Sequence, residues 1–510
     1  MTGKKRNLGN SIPRFIFVGI SILFQVGWLV LTALMLNEQY AWVEMGTRLF
    51  SLLVILQMNS KQGNAAFKIP WIMLIMAFPV MGLSLYLMLV IFGDMGNTGK
   101  RMRTVRAEIS EYLPAGGGVR EQLLQKALPG TGVSGYLQSS VGYPVYRNTA
   151  AAYFSQAADA FAAMKADLEK AESFIFMEYF IISADSSFEE LCEILIQKSR
   201  QGLDVRLMYD DMGSVKVNLL FAKKLADAGI RCVVFNPAVP ILNLFMNHRD
   251  HRKITVIDGK VGYTGGFNLA DKYFDRTSPF GKWKDTGLRL EGEAVRSLTA
   301  FFLEMWNTCS RSRESAEPFL KVSHSVPAAG FVQPYGDNPL GGDRVAESVY
   351  LHMAYCAKKY LYITTPYLII TDEMTNALGL AAKRGVDVRI ITPGIPDKKT
   401  VYWVSRSYYA GLVRQGVRIF EYSPGFCHAK QMLCDGQTAS IGTSNLDYRS
   451  LYLHFENNVL LYGGEAVKQM TADFEELFPQ CREVTEHYRE GRSAALRLGQ
   501  YILRLFAPLM

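Results

Sequence analysis

Two stretches of the sequence repeat one pattern and decide the fold. The first reads HRKITVIDG at 251–259 and continues to GGFN at 265–268; the second reads HAKQMLCDG at 428–436 and continues to GTSN at 442–445. In both, Lys follows His by two positions, Asp by seven and Asn by seventeen. One such pattern could arise by chance, but two copies with the same downstream spacing indicate a duplicated unit. The repeated residues are His251, Lys253, Asp258, Asn268, His428, Lys430, Asp435 and Asn445.

The spacing places the histidine and the lysine of each copy on one face of a strand, because residues two apart on a strand point the same way. The β-branched residues between Lys253 and Asp258 are typical of a buried strand. Asp-Gly between two apolar runs predicts a hairpin turn after each strand. Asp258 and Asp435 are therefore either turn residues or part of the chemistry, and both interpretations stay open.

Two imidazoles and two ammonium groups suit the chemistry of a phosphodiester. A neutral histidine can attack phosphorus, while a protonated one donates to the departing alkoxide. The lysines and the two asparagines, Asn268 and Asn445, can hold the equatorial oxygens as negative charge builds. Because each copy supplies half of such a site, the copies are expected to face each other. The scheme needs no metal or other cofactor.

At these residues the sequence resembles the phospholipase D superfamily, whose signature is this duplicated motif, and within it the bacterial cardiolipin synthase branch. Matching stretches also include 247–253, 262–266, 268–271 and 365–367, and the resemblance covers nearly the whole chain. It implies an α/β fold in which two similar phospholipase D-like α/β/α halves, related by pseudo-twofold symmetry, follow an N-terminal transmembrane helical segment.

The resemblance also implies a reaction in a cleft between the halves. His251 attacks the phosphorus of one phosphatidylglycerol and His428 protonates the departing glycerol, although the two roles can be exchanged. A second phosphatidylglycerol then displaces the enzyme from the phospho-histidine and gives cardiolipin. Catalytic roles are implied for His251, Lys253, Asp258, His428, Lys430 and Asp435.

A reacting histidine usually needs a carboxylate on its other ring nitrogen. Asp285 follows the first motif and Glu456 the second, each before an apolar strand and a Gly-Glu-Ala-Val segment. This parallel placement makes both acids candidates, with surface acids at strand ends as the alternative. The copies differ at Gly266, where the second has the hydroxyl of Thr443, followed by Ser444. One oxygen-binding contact is therefore expected to be missing in the first half.

Residues 1–98 are predicted to form a membrane segment. Phe15–Leu36 and Ile69–Phe92 carry no charged residue, and each is long enough to cross a hydrocarbon core of about 30 Å. The first run is too long for a signal peptide, and no A-x-A site follows it. Trp42–Met58 includes Glu44 and Arg48 and is either a third span or an interfacial helix.

The number of spans decides the topology. With two spans, the basic residues near the N-terminus and at 100–106 lie on one side, so the positive-inside rule places the catalytic halves in the cytoplasm. With three spans, the rule holds at Lys61 and Lys68 but fails after residue 100. We expect a multi-pass protein of the cell membrane with its catalytic halves on the cytoplasmic face.

A polar, Gly-rich stretch at 99–140 is predicted to be a linker with some helix around Glu108 and Glu121. It leads to a first phospholipase D-like domain at 141–330 and a second at 331–510. The predicted elements are helix 150–171, strand 173–183, helix 187–201 and strand 203–209 in the first domain, and strand 360–365, helix 372–384 and strand 386–391 in the second. This alternation predicts a parallel sheet covered by helices.

Two apolar segments remain open to interpretation. Ala238–Asn247, an insertion just before the first motif, is either a loop packed on its own domain or a lip that dips into lipid. The last stretch, Arg492–Met510, mixes arginines with apolar residues and is either a membrane-lying helix or a helix packed on the second domain.

Composition excludes little by itself. The net charge of +8 suits an anionic membrane or substrate as well as a nucleic acid. Seven cysteines without a C-x-x-C pattern argue against a disulfide framework. A zinc site at His248 and His251 would need further ligands, and the other histidines form no cluster in the sequence.

Three other functions were weighed against phosphatidyl transfer. A hydrolase would give the phospho-enzyme to water, and residues alone do not separate it from a transferase. A nuclease would favour a basic groove with stacking aromatics in a soluble chain, and the two uncharged runs argue against it and against a nucleic-acid partner. The two intact His-Lys pairs argue against a non-catalytic scaffold.

Overall fold

The structure is a computed structural model. It describes scattered residues between 16 and 35 and the ranges 41–61, 63–92, 96–113, 118–215, 217, 219–238, 247–489 and 494–509. The predicted run Phe15–Leu36 and the insertion Ala238–Asn247 lie largely outside the described residues. Among the helices that can be traced in those ranges, none combines the length and the apolar character needed to cross a bilayer.

The N-terminal segment contains the helices α1 (Ala41–Ser60), α2 (Ala65–Ala77) and α3 (Pro79–Phe92). They pack on one another through a small cluster around Ile75. The single helix expected over Ile69–Phe92 is broken, because Pro79 lacks the N–H that would continue α2. The chain bends so sharply here that a Cβ on Gly82 would lie 2.7 Å from the carbonyl oxygen of Leu74.

The predicted linker is packed onto the rest of the molecule. Its helices are α4 (Gly96–Ser110) and α5 (Val119–Gln125), followed by short helical turns at Val133–Gly135 and Tyr136–Ser140. Met102, Val105 and Ile109 of α4 are buried in the main hydrophobic cluster. The helices at Glu108 and Glu121 match the prediction. The segment itself is packed against the rest of the protein and is not an unpacked linker.

The first half carries a mixed sheet with the strand order β1-β9-β7-β6-β2-β3-β4. Its strands are β1 (Thr149–Phe154), β2 (Phe174–Tyr179), β3 (Asp204–Asp210), β4 (Arg231–Phe235), β5 (Arg249–Asp250), β6 (Lys253–Ile257), β7 (Val261–Gly265), β8 (Lys282–Lys284) and β9 (Gly287–Gly292). Its helices are α6 (Ala157–Leu168), α7 (Ser186–Arg200), α8 (Leu219–Asp227) and α9 (Val295–Cys309), with a turn at Glu317–Leu320 and a 3-10 turn at Asp271–Phe274.

The second half repeats this order as β10-β19-β17-β16-β11-β13-β14 and adds β20 at the edge. Its strands are β10 (Phe331–Asp337), β11 (Tyr360–Thr364), β12 (Leu368–Ile369), β13 (Asp387–Pro393), β14 (Arg418–Tyr422), β15 (Gly425–Cys427), β16 (Gln431–Cys434), β17 (Thr438–Gly442), β18 (Leu446–Asp447), β19 (His454–Tyr462) and β20 (Cys481–Glu483). Its helices are α10 (Val345–Cys356), α11 (Asp372–Lys383), α12 (Lys399–Val413), α13 (Glu465–Leu477), α14 (Thr485–Arg489) and α15 (Ala494–Arg504), with turns at Arg449–Leu453, Phe478–Gln480 and Ala507–Leu509.

The sheets differ from the prediction in two respects. Within the two main sheets as described, β2-β3-β4 and β11-β13-β14 run parallel, whereas the motif strands β6 and β16 pair antiparallel with the strands that follow them, β7 and β17. The helix expected to begin at Ala150 begins at Ala157, because Ala150–Ala152 belong to β1 and pair with β9. Alanine has the highest intrinsic helix propensity, but propensity is a weak preference, and pairing with a sheet edge overrides it here.

One continuous hydrophobic cluster runs through both halves. It joins Phe176 and Val256 of the first sheet to Ile390 and Val459 of the second. Helix α9 lies at the centre, with nearly every side chain buried. The halves are therefore held in a fixed relation, which matters because the motif histidines come from different halves.

Candidate active site

The two motif histidines meet in a cleft of about 480 Å³ between the halves. His251 and His428 both line it, together with Asn268 and Asn445. Each histidine is 7% exposed, so water reaches it only from the cleft. The duplicated sequence therefore folds into one site rather than two.

The backbone of each half holds the histidine of the other. Strand β5, directly before His251, pairs in parallel with the start of β19, and β15, directly before His428, pairs in the same way with β8. The His251 amide donates to the carbonyl of Phe455 at 2.9 Å, and the His428 amide donates to that of Lys284 at 2.7 Å. Each motif therefore leaves its own sheet to reach the opposite half.

The carboxylates cross over in the same way. Nδ1 of His251 lies 2.9 Å from Oε1 of Glu456, and Nδ1 of His428 lies 2.6 Å from Oδ2 of Asp285. Both acids predicted from their place after the motifs therefore reach histidines, each across the interface between the halves. With Nδ1 engaged by a carboxylate, Nε2 of each ring is left for the cleft.

Gly266 and Thr443 support these carboxylates rather than a substrate oxygen. The Thr443 hydroxyl donates to Oε2 of Glu456, at the back of the site. A Cβ on Gly266 would lie 2.0 Å from Oδ1 of Asp285, so only glycine leaves room for that carboxylate. Gly266 therefore does not deprive the first half of an oxygen-binding contact, as was expected, because the Thr443 hydroxyl at the equivalent position is bonded to Glu456. Asp285 instead accepts from the amide of Thr286 at 2.9 Å.

The remaining motif residues surround the histidines at different depths. The Nζ of Lys253 donates to the carbonyl of His251 at 2.6 Å, and Lys430 makes the same bond to His428. Both lysines are almost fully buried. Ser444 is turned away and is bonded to the side chain of Asn458 through its hydroxyl and its amide.

Sequence comparison agrees with this geometry. The family model described as "Cardiolipin synthase, PLD-like domain" matches residues 164–306 and 350–478, which together make up more than half of the chain. The chain belongs to this phospholipase D-like family.

Similar proteins were found over most of the chain. A cardiolipin synthase of Halalkalibacterium halodurans is 35% identical over 86% of this chain and 88% of its own. An uncharacterized protein of Streptococcus mutans is 40% identical over 89% and 99%. The crystal structure of a phosphatidylserine synthase from Haemophilus influenzae covers 76% of this chain and 97% of its own with a TM-score of 0.55, at 15% identity, and shows the likeness of the fold.

The environment of this phospholipase D-like site keeps both histidines neutral. Burial, followed by the neighbouring Lys253, lowers the pKa of His251 well below its ordinary value. Burial and Lys430 lower the pKa of His428 to about 3, although Asp285 opposes them. Burial also lowers the pKa of Lys253 to about 7 and that of Lys430 to about 8. A neutral imidazole is the form that can attack phosphorus.

These shifts predict an acid-sensitive fold. Because the pKa of His428 is about 3 in the folded protein and about 6.5 in an unfolded chain, the unfolded state binds the proton first as pH falls. The free energy of unfolding is therefore expected to fall below pH 6.5, by up to about 1.4 kcal/mol per pH unit for this histidine. Denaturant unfolding of wild type and His428→Asn between pH 4 and pH 7 measures it. A pH slope that is the same in both proteins would contradict the assignment.

Asp258 and Asp435 do not reach the histidines, which corrects the catalytic role implied for them. Each lies at the far end of its motif strand, in a hairpin turn where it and the next glycine have positive φ. The Asp258 carboxylate accepts from the amides of residues 172, 173 and 174 at 2.7–2.9 Å. Asp435 binds the amides of residues 358, 359 and 360 in the same way. Their role is to fix the entry into β2 and β11.

Replacing Asp258 with alanine is therefore expected to cost stability rather than chemistry. Three amide donors would lose a charged acceptor, and we expect the free energy of unfolding to fall by roughly 2–4 kcal/mol. Denaturant titration measures this loss. Turnover per folded molecule, measured well below the melting temperature, should stay close to wild type. A loss of turnover comparable with that of His251→Ala would restore the catalytic interpretation.

Several cleft residues were not identified from the sequence. Arg249, Lys272, Trp283, Arg449 and His454 all line the cleft. His454 is the least expected, because in the sequence it stands apart from other histidines. Its position two residues before Glu456, which matches that of Trp283 before Asp285, was the signal available.

His454 also changes the assessment of metal ligands made from the sequence. Potential ligand atoms of His251, His454 and Glu456 lie within 4.8 Å of one another, a cluster that the sequence spacing did not reveal. Two of the three are already engaged with each other, since Glu456 holds Nδ1 of His251. His248, the residue considered from the sequence, is bonded through Nδ1 to the carbonyl of Leu453 at 2.9 Å.

Proposed function

We propose that this protein is a membrane-attached phosphatidyltransferase that makes cardiolipin and glycerol from two molecules of phosphatidylglycerol. The observation that carries the proposal is the pair of imidazoles in one cleft, each oriented by a carboxyl group from the opposite half. The relatives named cardiolipin synthase supply the substrate class. The reaction takes two steps, and both use residues of the cleft.

In the first step, Nε2 of His251 attacks phosphorus, a P–N bond forms, and the P–O bond to the terminal glycerol breaks. The order of the two histidines follows the family resemblance. The departing alkoxide takes its proton from His428. Although His428 is neutral in the empty cleft, the negative charge of a bound phosphodiester favours its protonated form. Lys253 and Lys430, each bonded to the carbonyl of a motif histidine, supply positive charge for the equatorial oxygens in this scheme.

In the second step, neutral His428 accepts a proton from the hydroxyl of an incoming phosphatidylglycerol. The oxygen attacks phosphorus, the P–N bond breaks, and cardiolipin leaves with His251 restored. Glu456 and Asp285 hold the two rings in place through both steps, so the same geometry serves formation and breakdown of the phospho-enzyme.

Exposed apolar side chains support attachment to a membrane. They include Leu49, Leu53 and Leu56 on α1, Met73 and Met76 on α2, Trp403 on α12, and Leu498 and Ile502 on α15. Helices α2, α12 and α15 are connected, because Phe67, Val404 and Leu503 belong to one hydrophobic cluster with Tyr448, and Arg504 of α15 bonds to Ser407 of α12. Single exposed apolar residues are ordinary on a surface, but a connected set favours contact with lipid.

The C-terminal helix combines the two interpretations left open by the sequence. Helix α15 packs on α12, while Leu498 and Ile502 remain more than half exposed. We propose that it lies in the membrane surface with α1–α3, next to the cleft mouth formed in part by Lys398 and Val401. Multi-pass insertion, the cytoplasmic placement of the halves, and the domain limits at 140 and 330 stay predictions.

The test of the proposal uses the purified full-length protein in vesicles that contain labelled phosphatidylglycerol. Equal amounts of cardiolipin and free glycerol are the expected products. If phosphatidic acid were the main product, the protein would be a hydrolase and not a transferase. Absence of both products, from protein whose unfolding transition is intact, would reject phosphatidylglycerol as the donor.

A further inference from the structure

The two halves contribute equivalent histidines to the cleft, but the residues beside the two histidines differ. In the pairing of β15 with β8, Phe426 stands opposite Trp283. At the equivalent positions of the other pairing, β5 with β19, Arg249 stands opposite His454. An aromatic pair therefore flanks His428, with ring centroids 5.9 and 5.2 Å from it, while a basic pair replaces it beside His251.

A second arginine belongs to the same end of the cleft. Arg449 follows Asn445 by four positions, as Lys272 follows Asn268 in the first half, and both line the cleft. Burial lowers the pKa of Arg449 most, Asp447 opposes this effect, and the charge of Arg249 lowers the pKa further, so the two guanidinium groups are close to each other. Two buried like charges in one cleft attract an anion, and a ligand phosphate would add to the negative charge that Asp210 and Asp447 supply. We refer to Arg249, Arg449 and His454 as the basic end.

The carboxyl groups that adjoin the basic end include Asp210, Asp447 and Glu456, whose Oε1 lies 3.8 Å from Nδ1 of His454. Oδ1 of Asp210 lies 3.5 Å from a guanidinium nitrogen of Arg249, and it also accepts from backbone amides. Asp447 accepts from the side chain of Asn445 and from the amide of Ser450. Burial raises the pKa of Asp210 to about 7 and raises that of Asp447, which weakens the negative charge of both.

His454 supplies an unused donor at this end. It is 9% exposed and lines the cleft, and across the ranges that the structure describes neither of its ring nitrogens has a hydrogen-bond partner. Its ring centroid lies 5.5 Å from that of His251. A buried imidazole without a partner costs free energy, and a ligand oxygen that accepts its N–H removes that cost.

We propose that the basic end binds the phosphate of the acceptor lipid, while the two motif histidines act on the phosphate of the donor. This inference rests on the proposed function, because only transfer to a phosphate-bearing acceptor needs a second anion site. In the product the two phosphates are joined by one three-carbon glycerol bridge. The second phosphate must therefore lie within a side-chain length of the reacting one. His454 lies at that distance from His251, and Arg449 lines the same cleft.

The test compares two acceptors of the same phospho-enzyme. Labelled free glycerol exchanges into phosphatidylglycerol and carries no phosphate, whereas cardiolipin formation requires a phosphate-bearing acceptor. Full-length wild type, Arg449→Gln and His454→Gln are assayed for both reactions in the same vesicles. Lys468→Gln, which removes a charge from an exposed lysine of α13, is the control. We expect the ratio of cardiolipin formation to glycerol exchange to fall at least tenfold in the two cleft variants, and Arg449→Lys to recover most of it.

The outcomes separate the inference from the function on which it rests. The acceptor site would be overturned if Arg449→Gln and His454→Gln lost both reactions equally, or if neither variant lost either reaction. The proposed transferase function would stand in both cases. Wild type that exchanges glycerol but makes no cardiolipin would overturn the proposed function, and with it the acceptor site.

A second arm distinguishes lipid phosphate from free phosphate. If the ligand is the acceptor lipid, raising the mole fraction of phosphatidylglycerol restores cardiolipin formation in Arg449→Gln, and millimolar inorganic phosphate leaves the wild-type ratio unchanged. If inorganic phosphate changes the wild-type ratio and does not change that of Arg449→Gln, the basic end binds free phosphate, and its assignment to the acceptor lipid is overturned.

Discussion

His251→Ala and His428→Ala are each expected to lower phosphatidyl transfer by about four orders of magnitude, because a nucleophile and a proton donor that act in sequence cannot replace each other. The double variant should be hardly slower than either single one, since the two histidines act as a unit. Release of glycerol and formation of cardiolipin from labelled phosphatidylglycerol measure both steps.

The matched control is His487→Ala, which removes an exposed histidine of α14 far along the chain from both motifs. It should retain wild-type activity. Samples quenched in alkaline denaturant, which preserves the acid-labile P–N bond, identify the residue that carries the phospho-group. We expect this residue to be His251, and the adduct should not form in His251→Ala. If the phospho-group were found on His428 instead, the two histidines would have the opposite roles within the same active site. If either histidine variant kept activity within tenfold of wild type, the cleft between the halves would not be the active site.

The duplicated motif made much of this architecture accessible from the sequence. Because the two copies share their spacing, they predicted two halves and one shared site, and the hairpins at Asp258 and Asp435 followed from Asp-Gly. The same local signal left the role of these aspartates open. Their backbone partners at 172–174 and 358–360 are remote in the chain, so no local pattern could reveal that each carboxylate fixes a strand entry.

The crossing of the two halves could not be predicted. Asp285 and Glu456 were identified because each follows its own motif, but local spacing says nothing about which histidine an acid reaches. The pairing depends on β5 and β15 leaving their sheets, and two-residue or three-residue strands leave no periodic signal. His454 was missed for the same reason, because its place in the cleft depends on the strand that it pairs with and not on the residues next to it in the sequence.

The crossed carboxylates lead to the second large effect, expected from Asp285→Asn and Glu456→Gln. Each is expected to lower kcat by about 10²–10⁴-fold with little change in KM, because an amide can donate to Nδ1 and favour the wrong tautomer of the ring. Neither acid reaches the substrate, so both are positioning residues. Comparing the Asp285→Asn variant with wild type at several pH values separates loss of orientation, which alters the pH profile, from general damage to the fold.

Double-variant cycles on the free energy of unfolding test the crossing directly, because they need no activity. Asp285→Asn should couple to His428→Asn by about 1–3 kcal/mol, since the two side chains are bonded at 2.6 Å. Coupling of Asp285→Asn to His251→Asn should stay below about 0.5 kcal/mol, and Glu456→Gln should show the reverse preference. If Asp285 coupled instead to His251, the histidine of its own half, the halves would act as separate sites. Chemistry shared between two histidines would then lack its structural basis.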